Sequence, residues 1–349
     1  MDVKKTLKAA SLGAGPRLVW LALIISLYLT AGFAQNSIVL VGSGGTSPVP
    51  VYRVWSKEFN GTKPSIQMQY ISMDTAASIV QISKGSGDFG GGDTPLTPEQ
   101  RAQGNLIELP VMLIALVPIY NLPGQPADLR FSGDLLAEIY LGHVTKWNAP
   151  QIAKLNPNVN LPNLPIKVVQ RRPGKGTNYI FTDFLSKASP KFRAQVGRSI
   201  SPAWPVGTSV ERSSDMADKV HSDPGSIGFV ELQYARENNI SYGLVKNPAG
   251  KFVKASPLTL QAACDAVEAP QYDNFSASLT NATGDDSYPI VSFSWLYVRT
   301  VSKDPQRKAA LLDLLNFMFA RGQKIIPSGY SSLPESLLAK ERAKLNSIQ

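Results

Sequence analysis

Apolar residues along the chain follow two spacings, one typical of strands and one typical of helices. The run Leu106–Tyr120 is apolar almost throughout, which predicts a buried strand long enough to cross between two lobes. Residues 290–298 alternate between apolar and polar positions as a strand does, whereas residues 305–321 place apolar positions at helical spacing. Because strands and helices alternate along the chain, the predicted fold class is α/β.

The same spacings predict further elements on both sides of these three. Strands are predicted at residues 37–41, 66–70, 168–169 and 225–231, and helices at 76–82, 99–103, 132–141, 149–155, 178–185, 214–221, 232–237 and 333–345. The length of 349 residues and the hydrophobic fraction of 43% suffice for two domains.

Residues 1–34 have the three parts of a secretory signal peptide. Four basic residues precede an apolar run at 18–29, and the small residues Gly32 and Ala34 follow it. The run is short for a membrane span, so we expect cleavage near Ala34. The alternative is an uncleaved N-terminal anchor, because residues 31–33 prolong the run. No cysteine lies near the cleavage position, so a lipid-attached form is not indicated.

Cysteine, histidine and charge exclude several classes of protein. Cys264 is the only cysteine, so no intramolecular disulfide can form, and the two histidines, His143 and His221, lack metal-ligand spacing. We therefore expect no metal and no cofactor. The formal net charge is +9, and removal of residues 1–34 leaves about +6. Such a charge suits anions, nucleic acid or anionic lipid, but no nucleic-acid motif is present, so no nucleic-acid partner is expected.

Two glycine-rich turns each connect a predicted strand to a predicted helix. The first, GSGGTS, contains Thr46 and Ser47, and the second, RRPGKGT, contains Arg171 and Thr177. The helix after the first turn is predicted to begin at Pro48 and Pro50, where proline is tolerated, with Val51, Val54, Trp55 and Phe59 on its apolar face. Glycines let backbone N–H groups approach a ligand, and the first amides of a helix have no internal partner. With hydroxyls and a guanidinium added, these turns predict a pocket for a small oxyanion. The alternative for the second turn is an ordinary basic loop.

Two further turns carry polar side chains that suit the same pocket. Thr75 lies between a predicted strand and a helix, and Asp93 follows three consecutive glycines at a strand end. Ligands of open α/β sheets bind beyond the carboxyl ends of the strands, so the turns can converge on one cleft. Asp93 would accept a hydrogen bond from HPO₄²⁻ but repel sulfate, a discrimination on the order of a hundredfold. The alternatives are a mobile loop for the glycines and a helix cap for Asp93.

The sequence lacks the signatures of several enzyme classes. It has no GxSxG elbow and no HExxH motif, Gly176 interrupts the nucleotide-loop pattern, and Ser47 replaces the last glycine of a dinucleotide fingerprint. The acid pair Asp285-Asp286 lies in a polar segment and is interpreted as solvated. We therefore expect a binding protein and not an enzyme.

Seven segments, taken in order, resemble the periplasmic phosphate-binding proteins of the bacterial phosphate ABC transporter. They are GSGGTSPVPVYRVW, DFGGGDTPLT, IYLGHVTKWN, IAKLNPNVNLP, GKGTNYIFTDFL, GSIGFVE and SLPESL. The resemblance implies two α/β lobes joined by a hinge, with phosphate in the cleft between them. Residues 35–113 with 290–349 would form one lobe and residues 114–289 the other. Carried over by position, it implies phosphate contacts from Thr46, Ser47, Thr75, Asp93, Arg171, Gly176 and Thr177.

The chain differs from the resembled family at four positions of this site. Ser47 stands where an aromatic residue is common, and Thr75 where the family has a serine, a substitution that keeps the hydroxyl. The two departures that matter are Pro173, where the family often has an aspartate paired to its arginine, and Lys175, where it has a binding serine. Arg171 is thus expected to lack its carboxylate partner. Lys175 is expected to contact the anion, the alternative being that it points to solvent. These changes put affinity and selectivity for phosphate in question.

The resemblance also implies a role and a location. We expect a monomeric periplasmic receptor that captures inorganic phosphate and delivers it to the membrane permease subunits of an ABC transporter. The alternatives are a receptor for another oxyanion (sulfate, molybdate or arsenate), a secreted phosphatase, and an adhesin or signalling scaffold that reuses the fold.

Overall fold

The strands predicted from the apolar runs assemble into one long sheet, beside a small second sheet. The computed structural model describes residues 37–124, 128–267 and 278–348. The predicted signal peptide lies outside the described residues, as does part of the polar stretch at 270–288.

Twelve strands and twelve α-helices are present in the described ranges. The strands are β1 (Ile38–Gly44), β2 (Ile66–Ser72), β3 (Phe89–Gly92), β4 (Leu106–Tyr120), β5 (Arg130–Phe131), β6 (Lys167–Arg171), β7 (Thr208–Val210), β8 (Ser226–Glu231), β9 (Leu244–Lys246), β10 (Phe252–Val253), β11 (Val291–Arg299) and β12 (Tyr330–Ser331). The helices are α1 (Val49–Thr62), α2 (Thr75–Ser83), α3 (Pro98–Gly104), α4 (Gly133–Tyr140), α5 (Pro150–Leu155), α6 (Gly176–Ala188), α7 (Pro190–Gln195), α8 (Ser213–Ser222), α9 (Leu232–Glu237), α10 (Pro257–Asp265), α11 (Pro305–Met318) and α12 (Glu335–Lys344).

The long sheet has the strand order β2-β1-β3-β11-β4-β8-β6-β7, and β12 pairs with β4. Strand β1 is parallel to β2 and β3, and β6 is parallel to β7 and β8, whereas β11 and β8 run antiparallel to β4. Strands β10, β9 and β5 form the small sheet. The α/β class is therefore confirmed.

Strand β4 joins the two lobes of the fold. Its residues up to Ala115 pair with β11, and its residues from Leu116 onward pair with β8. We call the part with β1, β2, β3 and β11 the first lobe, and the part with β6, β7 and β8 the second lobe. All but one of the β4 side chains are buried, which explains why the run is apolar almost throughout and does not alternate.

Buried aromatic side chains fill the core of each lobe. Trp55 of α1 is fully buried, and its indole N–H donates to the carbonyl of Gly322 at 2.9 Å. Trp147 is buried in the second lobe and donates to the carbonyl of Gly225 at 2.9 Å. Each indole buries a large apolar area without leaving its N–H unsatisfied, so both stabilise the framework on which the site is built.

The glycines before Asp93 form a strand and not a mobile loop. Gly90, Gly91 and Gly92 belong to β3, which lies between β1 and β11. A Cβ on Gly92 would lie 2.3 Å from Thr75 Cγ2, and one on Gly91 would lie 2.9 Å from a tyrosine hydroxyl. The glycines therefore allow α2 and the surrounding side chains to pack directly on the strand backbone.

Some short elements had no counterpart in the sequence analysis. These are β5, β7, β9, β10 and β12, each two or three residues long, and helix α10. Strands this short contain too few positions to show a period of two. Within the described ranges, no helix combines the length and the apolar content that a membrane crossing requires.

Candidate anion-binding site

The predicted residues of the first lobe lie where strands end and helices begin. Thr46 and Ser47 connect β1 to α1, Thr75 is the first residue of α2, and Asp93 directly follows β3. Strands β1 and β3 are parallel neighbours, so their carboxyl ends lie at the same edge of the sheet. This order places four polar side chains and two helix N-termini at one edge.

The predicted residues of the second lobe repeat this arrangement. Arg171 is the last residue of β6, and Gly176 and Thr177 are the first two residues of α6. The first amides of an α-helix have no intrahelical partner and carry the positive end of the helix dipole. Together with α1 and α2, helix α6 therefore gives the cleft three N-termini that favour an anion.

Short distances across the cleft bring these residues to one point. A Cβ placed on Gly45 would lie 3.0 Å from Thr75 Oγ1, 3.6 Å from Ser47 Oγ and 3.9 Å from Asp93 Oδ2. A Cβ placed on Gly176 would lie 3.0 Å from both the backbone nitrogen and Oδ2 of Asp93. The start of α6 therefore meets Asp93 of the other lobe, at an approach that only glycine permits without displacement.

Asp93 lies at the centre of the site and is 1% exposed. The hydroxyl of Ser47 donates a short hydrogen bond to Oδ2, and the hydroxyl of Ser294 donates to Oδ1 at 3.0 Å. The pKa of Asp93 is raised to about 7, chiefly by burial and also by the negative charge of Glu231, while the hydrogen bonds from the two serines and the charge of Arg171 act in the opposite direction. Asp93 is thus a much better proton acceptor than an exposed aspartate.

Arg171 is 2% exposed and is held on two sides. Its Nη1 donates to Ser213 Oγ at 2.9 Å, and its Nη2 donates to Thr46 Oγ1 at 3.3 Å and to the carbonyl of Glu211 at 2.9 Å. Ser213 Oγ in turn donates to Oε1 of the fully buried Glu231 at 2.9 Å. Burial lowers the pKa of Arg171 from its usual value, and the charge of Glu231 is the main opposing influence. Arg171 is therefore linked to the carboxylate of Glu231 through the hydroxyl of Ser213.

Among the buried side-chain donors that have no hydrogen-bond partner within residues 37–124, 128–267 and 278–348, three belong to the predicted site. They are Thr75 Oγ1, Thr177 Oγ1 and Arg171 Nε. Buried polar groups normally have a partner, and an unpaired one costs about 1–3 kcal/mol. All three belong to the predicted site and can donate to an oxyanion, so the arrangement is suited to complete its hydrogen bonds with a bound anion.

Lys175 is the N-cap residue of α6 and is 6% exposed, so it does not point to solvent. Its ammonium pairs with the carboxylates of Asp74 and Glu211. The predicted contact between Lys175 and the anion stays a prediction.

The cap proposed as an alternative role for Asp93 belongs to another residue. Thr97 is the N-cap of α3, where its Oγ1 accepts from the Gln100 amide at 3.3 Å and its own amide donates to Gln100 Oε1 at 2.9 Å. Asp93 is therefore available to the cleft. In the described part of the chain, no group of three or more potential ligand side chains could hold a metal ion.

Four residues that contact the site were not selected from the sequence. They are Ser213, Ser294, Glu231 and Glu211. Ser294 and Glu231 are polar residues that are fully buried in strands β11 and β8. Their partners could be expected only once their burial was known, since a buried polar group needs a partner. Ser213 begins a helix, which a serine does in many proteins without a ligand.

Comparison with known proteins places this geometry in a family. A profile of the PBP superfamily domain matches residues 31–321. The phosphate-binding protein PstS of Xylella fastidiosa (strain 9a5c) is 34% identical over 310 residues, which are 88% of this chain and 85% of the relative. The phosphate-binding protein PstS of Haemophilus influenzae is 35% identical over 296 residues, which are 84% of this chain and 88% of the relative.

Solved structures share the fold at lower sequence identity. A high affinity periplasmic phosphate-binding protein bound with phosphate superposes with a TM-score of 0.71 at 18% identity, over 88% of this chain and 94% of that chain. An ABC-type phosphate transport receptor from Vibrio cholerae gives a TM-score of 0.54 at 19% identity, over 84% and 100% of the two chains. These structures confirm the two-lobed fold. Because the profile and the curated relatives each extend over most of its length, the chain belongs to the phosphate-binding protein PstS family of the PBP superfamily.

Proposed function

We propose that this chain is an exported receptor that binds inorganic phosphate, as HPO₄²⁻, between its two lobes and delivers it to the membrane permease subunits of an ABC transporter. The names of the relatives support phosphate as the ligand. We further propose that residues 1–34 are a signal peptide cleaved near Ala34, that the mature protein acts as a periplasmic monomer, and that it is not an enzyme.

The observation that carries this proposal is the buried carboxylate of Asp93 among unpaired donors. Thr75 Oγ1, Thr177 Oγ1 and Arg171 Nε can donate hydrogen bonds, whereas Asp93 can accept one. An anion that fits must therefore accept several hydrogen bonds and donate one. HPO₄²⁻ does both at neutral pH, and sulfate has no proton to donate.

The lobes divide the predicted contacts between them. Thr46, Ser47, Thr75 and Asp93 come from the first lobe, and Arg171, Gly176 and Thr177 come from the second. Closure around a hinge would bring both sets onto the anion, and opening would release it. We place the lobe boundaries at residues 35–113 with 290–349 and at 114–289.

Titration calorimetry with phosphate and sulfate at about pH 8, where Asp93 is ionised and can only accept a hydrogen bond, tests the proposal. We expect the mature protein to bind phosphate, and also arsenate, whose monohydrogen anion carries the same proton, but to bind sulfate far more weakly. Asp93→Asn should reduce the preference for phosphate over sulfate on the order of a hundredfold, because the amide can donate to sulfate.

The matched control is Asp313→Asn, which removes a first-lobe carboxylate that is 44% exposed and paired with Lys63. It should leave both affinities unchanged. Absence of phosphate binding by the wild type would refute the proposed function, and an unchanged selectivity in Asp93→Asn would refute the role of Asp93.

A further inference from the structure

Lys175 lies between the two lobes with a carboxylate from each. Its ammonium pairs with Asp74 of the first lobe and with Glu211 of the second. The side chain of Lys175 is 6% exposed, whereas those of Asp74 and Glu211 are 40% and 50% exposed. The lysine is therefore the buried member of the group, and separation of the lobes would remove one of its two partners.

The backbone around this pair is also in contact across the cleft. The amide of Ala76 donates to the carbonyl of Gly174 at 3.4 Å. Gly174 has a φ of +86°, and a Cβ on it would lie 3.4 Å from Asp74 Oδ2. The turn before α6 thus packs closely against the N-terminus of α2, and the pair Lys175–Asp74 is part of a continuous interface between the lobes.

The side chain of Asp74 contacts Lys175 instead of capping its own helix. It is the N-cap residue of α2, but its side chain makes no capping hydrogen bond. Aspartate at this position normally accepts from an amide of the first helical turn. Here the carboxylate bonds the ammonium of Lys175 on the other lobe.

We propose that Lys175 and Asp74 form an inter-lobe clamp that stabilises the closed form of the receptor and slows release of the anion. The identity of that anion rests on the proposed function, whereas the effect on closure does not. Lys175 is then a positioning residue that affects anion binding by holding the lobes together. Its positive charge is paired with the carboxylates of Asp74 and Glu211. This explains why a lysine is accommodated at a position where the resemblance implies a serine.

The clamp and simple electrostatics predict opposite effects of Asp74→Asn on anion affinity. Removal of a carboxylate close to an anion site should strengthen anion binding by simple electrostatics. The same would follow if Lys175 contacted the anion directly, because Asp74→Asn would free its ammonium. Loss of the clamp has the opposite effect, since it lowers the population of the closed, binding-competent form.

Stopped-flow and equilibrium measurements with inorganic phosphate on Asp74→Asn therefore test the clamp. We expect phosphate affinity to fall about tenfold, which is the usual size of the coupling between two charged residues in direct contact. Most of this fall should come from faster dissociation of phosphate. Asp285→Asn makes the same chemical change within one lobe, where Asp285 pairs with Lys251 away from the cleft, and should alter the affinity by less than about threefold. In a Lys175→Met background, Asp74→Asn should have no further weakening effect. Stronger binding by Asp74→Asn, or equal weakening by both variants, would overturn the proposal.

Small-angle X-ray scattering separates failure of the clamp from failure of the proposed function. The radius of gyration of Asp74→Asn should exceed that of the wild type, because the open form is more populated, while Asp313→Asn should match the wild type. This readout does not depend on which anion binds. Unchanged scattering from Asp74→Asn, with a circular dichroism spectrum that shows it is folded, would refute the clamp even if the wild type binds phosphate.

Discussion

The buried charge of Asp93 should make the ligand-free receptor less stable as the pH rises, and Asp93→Asn should remove this dependence. The pKa of Asp93 is raised from 3.8 to about 7, first by burial and then by the charge of Glu231. Asparagine has nearly the same shape, can accept from Ser47 and can donate to Ser294, and carries no charge. The substitution therefore isolates the cost of ionising Asp93 inside the protein.

The size and sign of the effect follow from proton linkage. Between 3.8 and about 7 the folded protein retains the proton of Asp93 while the unfolded chain loses it, so the free energy of unfolding falls as the pH rises. At about 1.4 kcal/mol for each pH unit, the full loss is about 4 kcal/mol and is complete above pH 7. Relative to the wild type, Asp93→Asn should thus gain roughly 2.5 kcal/mol between about pH 5 and about pH 8.

Urea unfolding in phosphate-free buffer, followed by tryptophan fluorescence at several pH values, measures this difference. Asp183→Asn is a useful comparison, because that carboxylate is also buried, with 5% of its side chain exposed. Burial acts to raise the pKa of Asp183, but the ammonium of Lys187 and the hydroxyls of Ser278 and Thr280 outweigh it and lower the pKa. Its stabilising contribution is lost only as the pH falls below about 4.

The two variants should therefore give different curves. Asp183→Asn should be less stable than the wild type by a nearly constant amount, about 2 kcal/mol, over the range in which Asp93→Asn gains stability. If the stability of Asp93→Asn runs parallel to that of the wild type across this range, then Asp93 is not a buried acid with a raised pKa, and the reasoning from its burial fails.

Two further substitutions probe the cleft by other means. Gly176→Ala places a methyl group 3.0 Å from the Asp93 backbone across the cleft, so phosphate affinity measured by calorimetry should fall tenfold or more, while urea stability should change by less than about 0.5 kcal/mol. A normal affinity would show that the lobes do not close to this distance. Glu231→Gln removes the carboxylate that most favours the charged form of Arg171, so scanning calorimetry should show a lower Tm without ligand and a larger increase on adding phosphate, which supplies the missing negative charge. An unchanged increase would show that Glu231 does not balance Arg171.

Strand β4 and the short helix α9 were predicted at their observed bounds. Strand β4 is buried on both faces, so nearly all of its fifteen residues share one kind of environment and form one apolar run. Helix α10 was missed although Ser256 and Thr259 form a capping box at its start. The apolar face of α10 is weak, and only the polar positions at its N-terminus mark it, so attention to capping would have identified it.

The sequence identified residues of the site but not the side chains that contact them from other strands. Asp93 and Arg171 could be selected because each ends a strand, which is a local property. Their partners Ser294 and Glu231 lie on strands that are distant in sequence, and only the order of strands in the sheet brings them together. The position of Lys175 has the same cause, because its partner Asp74 precedes it by 101 residues. Sheet order and lobe closure are properties of the whole chain, so no local pattern contains them.

The charges in the cleft explain how the chain accommodates its departures from the resembled family. Pro173 removes the expected partner of Arg171, but Glu231 supplies a negative charge through Ser213, from the neighbouring strand β8. Lys175 adds a cation, and two carboxylates compensate for it. A buried charge is most costly when it is uncompensated, so these partners help the fold to accommodate both substitutions. The compensation of Lys175 differs in kind, however, because Asp74 belongs to the other lobe. Under the proposed clamp, the lysine at position 175 therefore does more than alter the local charge. It couples the anion site to the opening and closing of the lobes.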